Sequence, residues 1–365
     1  MLKNGLGELL LRETENANRF FDPFSGSGAV AFHVAEAIKI PVIAGDLQAY
    51  AVEIANSILL RTRPLNRSSV SVLNRWIEEG KDRYLEFEIN QKLQAKKSIV
   101  YSNRRLSENS HYNFVNAYGG YYFSYNQAIA FSILMETLPK SILLRSIALS
   151  GLIEAASNCA AAPGHTAQPF RPTQRGLLSI VDAWKRDPFF YIEGKIDEIS
   201  KRYAQTKGYA KISLANDLLA DIESGDLVFL DPPYSGVHYS RFYHVLETVA
   251  RNNKIVPLGE GRYPSPEERP RSHFSMKSKS HLALSETFEL ISGKGARAIL
   301  TFPEGECSNG LSGQIVKKIA SQYFKIEKEI IKGMFSTLGG NNSCRPARTK
   351  SSEMVLLLSP YKKIK

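Results

Sequence analysis

The stretch "RFFDPFSGSGAVAFHVAEAIKIPVIAGD", residues 19–46, decides the fold. A short apolar run ends in Asp22 and is followed by a loop of small residues. Residues 29–39 then have helical composition, with their apolar side chains on one face. A second apolar and partly β-branched run ends in Asp46, and residues 47–62 again have helical character. This βαβα order predicts a mostly parallel sheet with helices on both faces.

The same α/β pattern returns in the last third of the chain. Apolar runs predict strands over 209–217, 226–234 and 295–303, a helix over 238–251, and a terminal pair of strands over 324–332 and 352–360. Residues 256–281 are polar, basic and rich in proline, and we expect them to form a long loop. The predicted fold class is therefore α/β.

The middle of the chain has a different character. From residue 65 to about 205 basic residues are dense and the segments with clear periodicity are helical. We interpret 65–205 as a mainly helical, basic insertion. The flanking segments 1–64 and 206–365 then form the α/β domain.

The overall composition narrows the class of protein. The formal net charge of +11 over 365 residues favours a polyanionic partner, most often a nucleic acid. No apolar run approaches the roughly 20 residues that span a bilayer, and the N-terminus lacks a signal-peptide cleavage pattern, so we expect no membrane contact. The three cysteines and seven histidines show no ligand or disulfide spacing, which predicts no metal site and a reducing, cytoplasmic location.

The small-residue loop after the first strand has the form DxFxGxG. Glycines at Gly26 and Gly28 allow a ligand to approach the backbone, but Ala31 replaces the third glycine of a GxGxxG fingerprint and no Walker lysine follows. Phosphate binding is therefore not favoured. Asp46, at the tip of the second strand, is placed to bind two ribose hydroxyls, or alternatively to cap the helix that starts near Gln48.

The run "LVFLDPPYSG", residues 227–236, predicts a second site at the end of a strand. Two prolines remove backbone donors and leave carbonyl oxygens as acceptors. Asp231 adds a carboxylate, so a planar amino group can donate one N–H to each acceptor while Tyr234 stacks on its ring. The alternative is a plain turn in which Asp231 is a cap and Tyr234 is half buried.

Together these motifs resemble the Dam-like adenine-specific DNA methyltransferases with the α-type motif order, in which a target-recognition region separates the glycine loop from DPPY. The resemblance covers both α/β segments, about two thirds of the chain, and includes Glu353 before a late strand. It implies a Rossmann-like S-adenosylmethionine-dependent methyltransferase sheet, with 65–205 as the inserted target-recognition domain. The implied cofactor-binding residues are Lys3, Asp22, Phe24, Gly26, Gly28, Asp46 and Asp217, and the implied catalytic residues are Asp231, Pro232, Pro233 and Tyr234.

The resemblance also implies a substrate and partners. We expect double-stranded DNA with a flipped-out adenine, a possible cognate restriction endonuclease, and a monomer or weak dimer. Candidates for phosphate contacts are Arg104, Arg105, Arg171, Arg175, Arg269, Arg271, Lys277 and Lys279.

Two alternatives stay open on the residues alone. The same pair of acceptors fits an exocyclic amino group in RNA or the 4-amino group of cytosine. Aspartate in DPPY and the long insertion favour adenine in DNA. The other alternative is a non-catalytic nucleic-acid-binding protein with a degenerate cofactor fold. Methylation at carbon 5 of cytosine is not favoured, since none of the three cysteines adjoins a proline.

Overall fold

The computed structural model describes residues 2, 5–108, 110–336 and 348–361. These residues form two compact units. The sheet unit consists of Met1–Leu47, Ala204–His238 and Arg271–Lys365, and the helical unit of Gln48–Tyr203 and Tyr239–Pro270.

The sheet unit contains one sheet with seven strands among the described residues. The strands are β1 (Phe20–Asp22), β2 (Val42–Asp46), β3 (Tyr209–Ile212), β4 (Leu227–Leu230), β5 (Arg297–Pro303), β6 (Phe324–Ser336) and β7 (Arg348–Pro360). Their order is β3-β2-β1-β4-β5-β7-β6. The first five strands pair in parallel, whereas β7 is antiparallel to both β5 and β6. The predicted mostly parallel sheet and the terminal strand pair are confirmed.

Helices and two short 3-10 segments, Leu219–Asp221 and His273–Ser275, complete the sheet unit. The helices are α1 (Leu6–Thr14), α2 (Ala29–Ala37), α11 (Ala215–Leu218), α14 (Ser280–Gly293) and α15 (Gly313–Ala320). The central strands are apolar and almost fully buried, and β4 has the pattern of four consecutive buried residues. This is expected for parallel strands that helices cover on both faces.

The helical unit contains no strand among its described residues. Its helices are α3 (Ala49–Leu59), α4 (Arg67–Leu85), α5 (Lys97–Glu108), α6 (Asn113–Tyr118), α7 (Tyr125–Glu136), α8 (Ile142–Cys159), α9 (Gln174–Trp184), α10 (Pro188–Lys201), α12 (Tyr239–Phe242) and α13 (His244–Arg251). Helix α8 lies at the centre, where it packs against α3, α10 and α13. By length and composition α8 alone among the described helices passes as a membrane span, but 61% of it is buried inside the protein, as in an ordinary core helix.

The compact units divide the chain at different places from the predicted domains. Gln48–Leu59 and Tyr239–Pro270 belong to the helical unit, because α3 and α13 pack on α8 and because the Glu247 carboxylate accepts the first two amide groups of α3, from Ala49 and Tyr50. Residues 65–205 contain the helices α4 to α10. Their role in target recognition stays a prediction.

Several element boundaries differ from the sequence prediction. The strand predicted over 209–217 ends at Ile212, and the helix α11 follows because apolar Ala215 and Leu218 bury one face there. The helix predicted over 238–251 is split into α12 and α13 at Tyr243. The loop predicted over 256–281 contains a 3-10 turn and the first residues of α14.

Candidate active site

The two predicted motifs lie beside each other at the carboxyl edge of the sheet. Strand β1 pairs in parallel with β4, in the register Phe20↔Leu227 and Phe21↔Val228. From β1 the chain moves outward to β2 and β3 and then returns to β4 on the other side of β1. This is a topological switch point, the place where open α/β sheets bind ligands.

The glycine loop turns sharply between β1 and α2. Gly26 and Gly28 both have left-handed backbones, with φ of 49° and 74°. A Cβ atom on Gly28 would lie 2.7 Å from the ring of Phe32. Only glycine fits this turn without strain, and the turn exposes the amide groups that begin α2.

Strand β2 fixes the other side of this loop. The Ser25 amide donates to the Gly45 carbonyl at 3.0 Å, and the Gly26 amide donates to Oδ2 of Asp46, also at 3.0 Å. The alternative role for Asp46, capping of α3, is not observed, since α3 begins after Gln48 and its first amides bind another carboxylate. Asp46 therefore contacts the glycine loop and does not cap α3.

Asp22 is the most buried acid of the site, with 1% of its surface exposed. It accepts the amide of Phe24 at 3.3 Å. Burial, together with the nearby charges of Asp231 and Asp46, raises the pKa of Asp22 to about 8, although the hydrogen bond from the Phe24 amide opposes this rise. The partly exposed Phe24 ring packs edge-on against Phe274, with the ring centroids 5.1 Å apart.

Asp231 follows β4 and is oriented by the neighbouring strand. The Thr301 hydroxyl on β5 donates to Asp231 Oδ1 at 2.9 Å, while Oδ2 has no hydrogen-bond partner in the described part of the chain. Burial raises the pKa of Asp231 to about 6, and the hydrogen bond from Thr301 opposes that rise. At neutral pH the carboxylate is ionised, with one oxygen available to a donor.

A loop that the sequence did not single out holds the DPPY turn. Asn309 is completely buried, and its Nδ2 donates to the carbonyls of Pro233 and Phe274, each at 3.0 Å. The Gly236 amide donates to Oγ of Ser308 at 2.9 Å. The carbonyl of Pro232, by contrast, accepts no hydrogen bond from the residues that the structure describes. The only sequence signal for Asn309 is that it precedes a glycine in a turn.

The remaining DPPY residues lie in the core of the same unit. The Tyr234 ring is half buried against the core of the sheet unit. Pro232 is buried and Pro233 partly exposed. At the end of β4, Asp231 Oδ2 and the Pro232 carbonyl therefore accept no hydrogen bond from the described residues.

Glu353 is a further acid at this edge. It lies opposite Pro303 in the β5–β7 register, on the same face as Thr301, which pairs with Val355. Only 5% of Glu353 is exposed, and its Oε2 has no partner among the described residues. Burial and the negative charge of Asp231 raise the pKa of Glu353 to about 7. Sequence reasoning placed Glu353 before a late strand but did not assign it to the site.

The other two predicted cofactor residues are Asp217 and Lys3. Asp217 is exposed on α11, and the neighbouring Asn216 accepts the Thr287 hydroxyl at 2.6 Å. Neither residue caps α11, whose N-cap is Leu214. Lys3 lies outside the described residues. No group of three metal-ligating side chains occurs in the described part of the chain.

A mostly parallel seven-stranded sheet with a glycine loop at its switch point is consistent with a methyltransferase fold. The model of the D12 class N6 adenine-specific DNA methyltransferases matches residues 3–145 and 185–289, and the chain belongs to this family. The chain is also similar to the modification methylase LlaI of Lactococcus lactis subsp. lactis, with 39% identity over 77 residues. That match covers 21% of this chain and 12% of the relative, so it spans only a small part of the relative's length.

Proposed function

We propose that the protein transfers a methyl group from S-adenosylmethionine to the 6-amino group of an adenine that is flipped out of double-stranded DNA. The observation that carries the proposal is a pair of acceptors beside the glycine loop, Asp231 Oδ2 and the Pro232 carbonyl, to which no described residue donates. An amino group on a flat heterocycle has two N–H bonds, one for each acceptor.

The glycine loop has the features that a nucleoside cofactor requires. The Ser25 hydroxyl is buried and lacks a partner in the described residues, so a bound ligand would satisfy it. The left-handed Gly26 and Gly28 keep side chains out of the approach, and Asp46 offers a carboxylate for ribose hydroxyls. Bound S-adenosylmethionine supplies an electrophilic methyl carbon on a positively charged sulfur, which the acids of this edge complement.

The chemistry that the protein itself contributes is mainly positioning. Asp231 and the Pro232 carbonyl hold the amino nitrogen, favour its pyramidal form and offset the positive charge that develops on it. Thr301 fixes the carboxylate and Asn309 fixes the turn, so neither acceptor has to reorganise during the reaction. Tyr234 offers a ring on which the flipped adenine stacks. The carbon–sulfur bond of the donor would break as the carbon–nitrogen bond forms, and the nitrogen would then lose its proton to solvent.

The wider context is part of the same proposal. Residues 65–205 would recognise the target sequence, with basic side chains that bind phosphates. The enzyme would act in the cytoplasm, as a monomer or weak dimer, and serve a restriction-modification system with a cognate endonuclease. Of the predicted cofactor residues, Lys3 and Asp217 would contact the donor from outside the glycine loop.

The test is transfer of labelled methyl groups from S-adenosylmethionine to plasmid DNA, followed by identification of the modified base. We expect N6-methyladenine at defined sites. Asp231→Ala should lower the rate by about 100-fold or more, while calorimetry shows unchanged cofactor binding. Asp221→Asn, which removes an exposed charge from the same unit, is the matched control and should leave the rate unchanged.

Three results would contradict the proposal. Full activity of Asp231→Ala would remove its basis. A label found only in RNA, or in N4-methylcytosine, would show that the enzyme methylates a different substrate. Absence of both cofactor binding and methyl transfer would favour a non-catalytic nucleic-acid-binding protein.

A further inference from the structure

A tight turn in the helical unit, Leu258–Tyr263, joins two clusters of basic and aromatic side chains. Leu258 and Tyr263 exchange backbone hydrogen bonds of 2.7 and 3.0 Å, and the Arg262 amide donates to Gly259. Arg262 has a left-handed backbone, with φ of 55°, which non-glycine residues adopt at an energetic cost. The turn is therefore held in a strained conformation, and it positions the side chains of Arg262 and Tyr263 in the two clusters.

The first cluster is a stack of two guanidinium groups on one ring. Arg104 and Arg262 each lie 4.1 Å from the centroid of the Tyr121 ring. Arg262 also donates to the carbonyls of Ala117 and Asn116, at 2.6 and 2.8 Å. Both arginines are partly buried, so backbone and aromatic contacts fix them in place.

The second cluster repeats the arrangement around the next residue of the turn. The guanidinium carbons of Arg241 and Arg269 lie 4.8 and 5.5 Å from the centroid of the Tyr263 ring. The Tyr263 hydroxyl donates to the Ala167 carbonyl and accepts from Arg241 at 3.3 Å. Each tyrosine thus carries two arginines.

The two arginines on the Tyr121 ring repel one another, because the charge of Arg104 acts on Arg262. Arg104, Arg241 and Arg262 form no ion pair with a carboxylate in the residues that the structure describes. Burial and the charge of Arg104 lower the pKa of Arg262, but a guanidinium remains protonated at neutral pH. Like charges held together without acidic partners indicate a site for an anion.

The surroundings of the first stack are open to a ligand. A cavity of about 340 Å³ is lined by Arg104 and Tyr121 together with Phe170, Arg171 and Glu260. The acid in this cavity is already engaged, because Glu260 pairs with Arg171 at 2.5 Å. The guanidinium of Arg104 faces a space that a phosphodiester can enter.

We propose that the two Arg–Tyr–Arg stacks are a DNA-backbone site, in which Arg104 with Arg262 and Arg241 with Arg269 each bind a phosphate. A planar guanidinium offers two parallel N–H donors to phosphate oxygens, and stacking on tyrosine fixes its orientation before binding. This site extends the proposed function, since the phosphates belong to the DNA that presents the adenine. Sequence reasoning identified Arg104 and Arg269 as phosphate candidates, whereas Arg241 and Arg262 emerge from the stacking geometry.

The test is the salt dependence of DNA affinity for the full chain, measured by fluorescence anisotropy with a labelled duplex. Each lost phosphate contact should reduce the slope of log K against log salt by about 0.9, so Arg104→Gln with Arg241→Gln, which removes one guanidinium from each stack, should lower it by up to about 1.8. The matched control is Lys201→Gln, which removes one charge from a lysine paired with Asp197 in the same unit. It should leave the slope unchanged.

A conservative pair of variants separates this role from a purely structural one. Arg104→Lys with Arg241→Lys keeps both charges and should restore most of the salt slope while affinity stays below wild type. An unchanged slope in the glutamine variants, an equal loss in Lys201→Gln, or a loss confined to duplex RNA would each overturn the proposal. Wild-type methylation of plasmid DNA, run alongside, shows separately whether the proposed reaction holds.

Discussion

Replacement of Thr301 by valine tests how the site keeps Asp231 ionised. Thr301 is completely buried on β5, and its hydroxyl donates to Asp231 Oδ1 at 2.9 Å. Valine has the same shape but cannot donate. Because the lost hydrogen bond favours the ionised carboxylate, the pKa of Asp231 should rise from about 6.

The size of the effect follows from the strength of a hydrogen bond to a charged group. Such a bond contributes about 1.5–3 kcal/mol, which corresponds to a pKa rise of roughly 1–2 units in the variant. At pH 7 the wild-type carboxylate is about 90% ionised, whereas the variant would be about 10–50% ionised. A protonated Asp231 is a poorer acceptor for the amino group, so methyl transfer at pH 7 should slow by about twofold to tenfold.

The measurement is the single-turnover rate of methyl transfer to plasmid DNA across the neutral range of pH. The variant's profile should shift to higher pH and approach the wild-type rate in mildly alkaline buffer. Thr301→Ser keeps the hydroxyl and is the matched control, with a profile like that of the wild type. If Thr301→Val and the wild type have superimposable profiles, the hydrogen bond does not control the ionisation of Asp231.

Three further predictions test the glycine loop, the buried acid and the cap of α3. Gly28→Ala should destabilise the fold by about 1–3 kcal/mol and weaken cofactor binding, because the added Cβ would meet the Phe32 ring. The control is Gly194→Ala, at an open position on α10, which should be neutral or stabilising when both variants are compared by thermal unfolding. Because the pKa of Glu353 is raised, its contribution to stability is present at acidic pH and is lost as the pH rises towards about 7. Glu353→Gln should therefore raise the free energy of unfolding at pH 8 by at most ~3 kcal/mol. At pH 4 the free energy of unfolding should be the same in the variant and the wild type. Glu247→Gln should lower the free energy of unfolding by about 1–2 kcal/mol, because it weakens both the capping of α3 and the ion pair with Arg251. An unchanged melting temperature would contradict this role.

The central architecture was predictable because local signals agree there. Apolar runs, a glycine turn and helical periodicity all favour the same βαβ arrangement over residues 19–46, and the structure has β1, α2 and β2 in that stretch. The DPPY run was predictable for the same reason, since β4 is uniformly apolar and two prolines end it. The terminal strands β6 and β7 were predicted from the apolar composition of their segments.

Other elements depended on contacts that no local pattern records. Residues 215–218 become helical because two apolar side chains bury on one face, although the preceding strand pattern continued through them. The helical unit takes α3 and α13 from the segments assigned to the α/β domain, because both pack on α8. Packing between distant segments outweighs sequence order in such cases.

The sequence by itself determined the mostly parallel sheet and the two motifs that follow β1 and β4. Only the tertiary structure decided which partners complete the site: Thr301 comes from β5, Asn309 from a following loop and Glu353 from the antiparallel β7. The physical reason is the difference between a local and a global constraint. Strand, turn and helix preferences act over a few residues. The hydrogen bonds to Asp231 and Pro233, by contrast, come from residues that are 70 and 76 positions further along the chain, and they form only when these segments meet at one edge of the sheet.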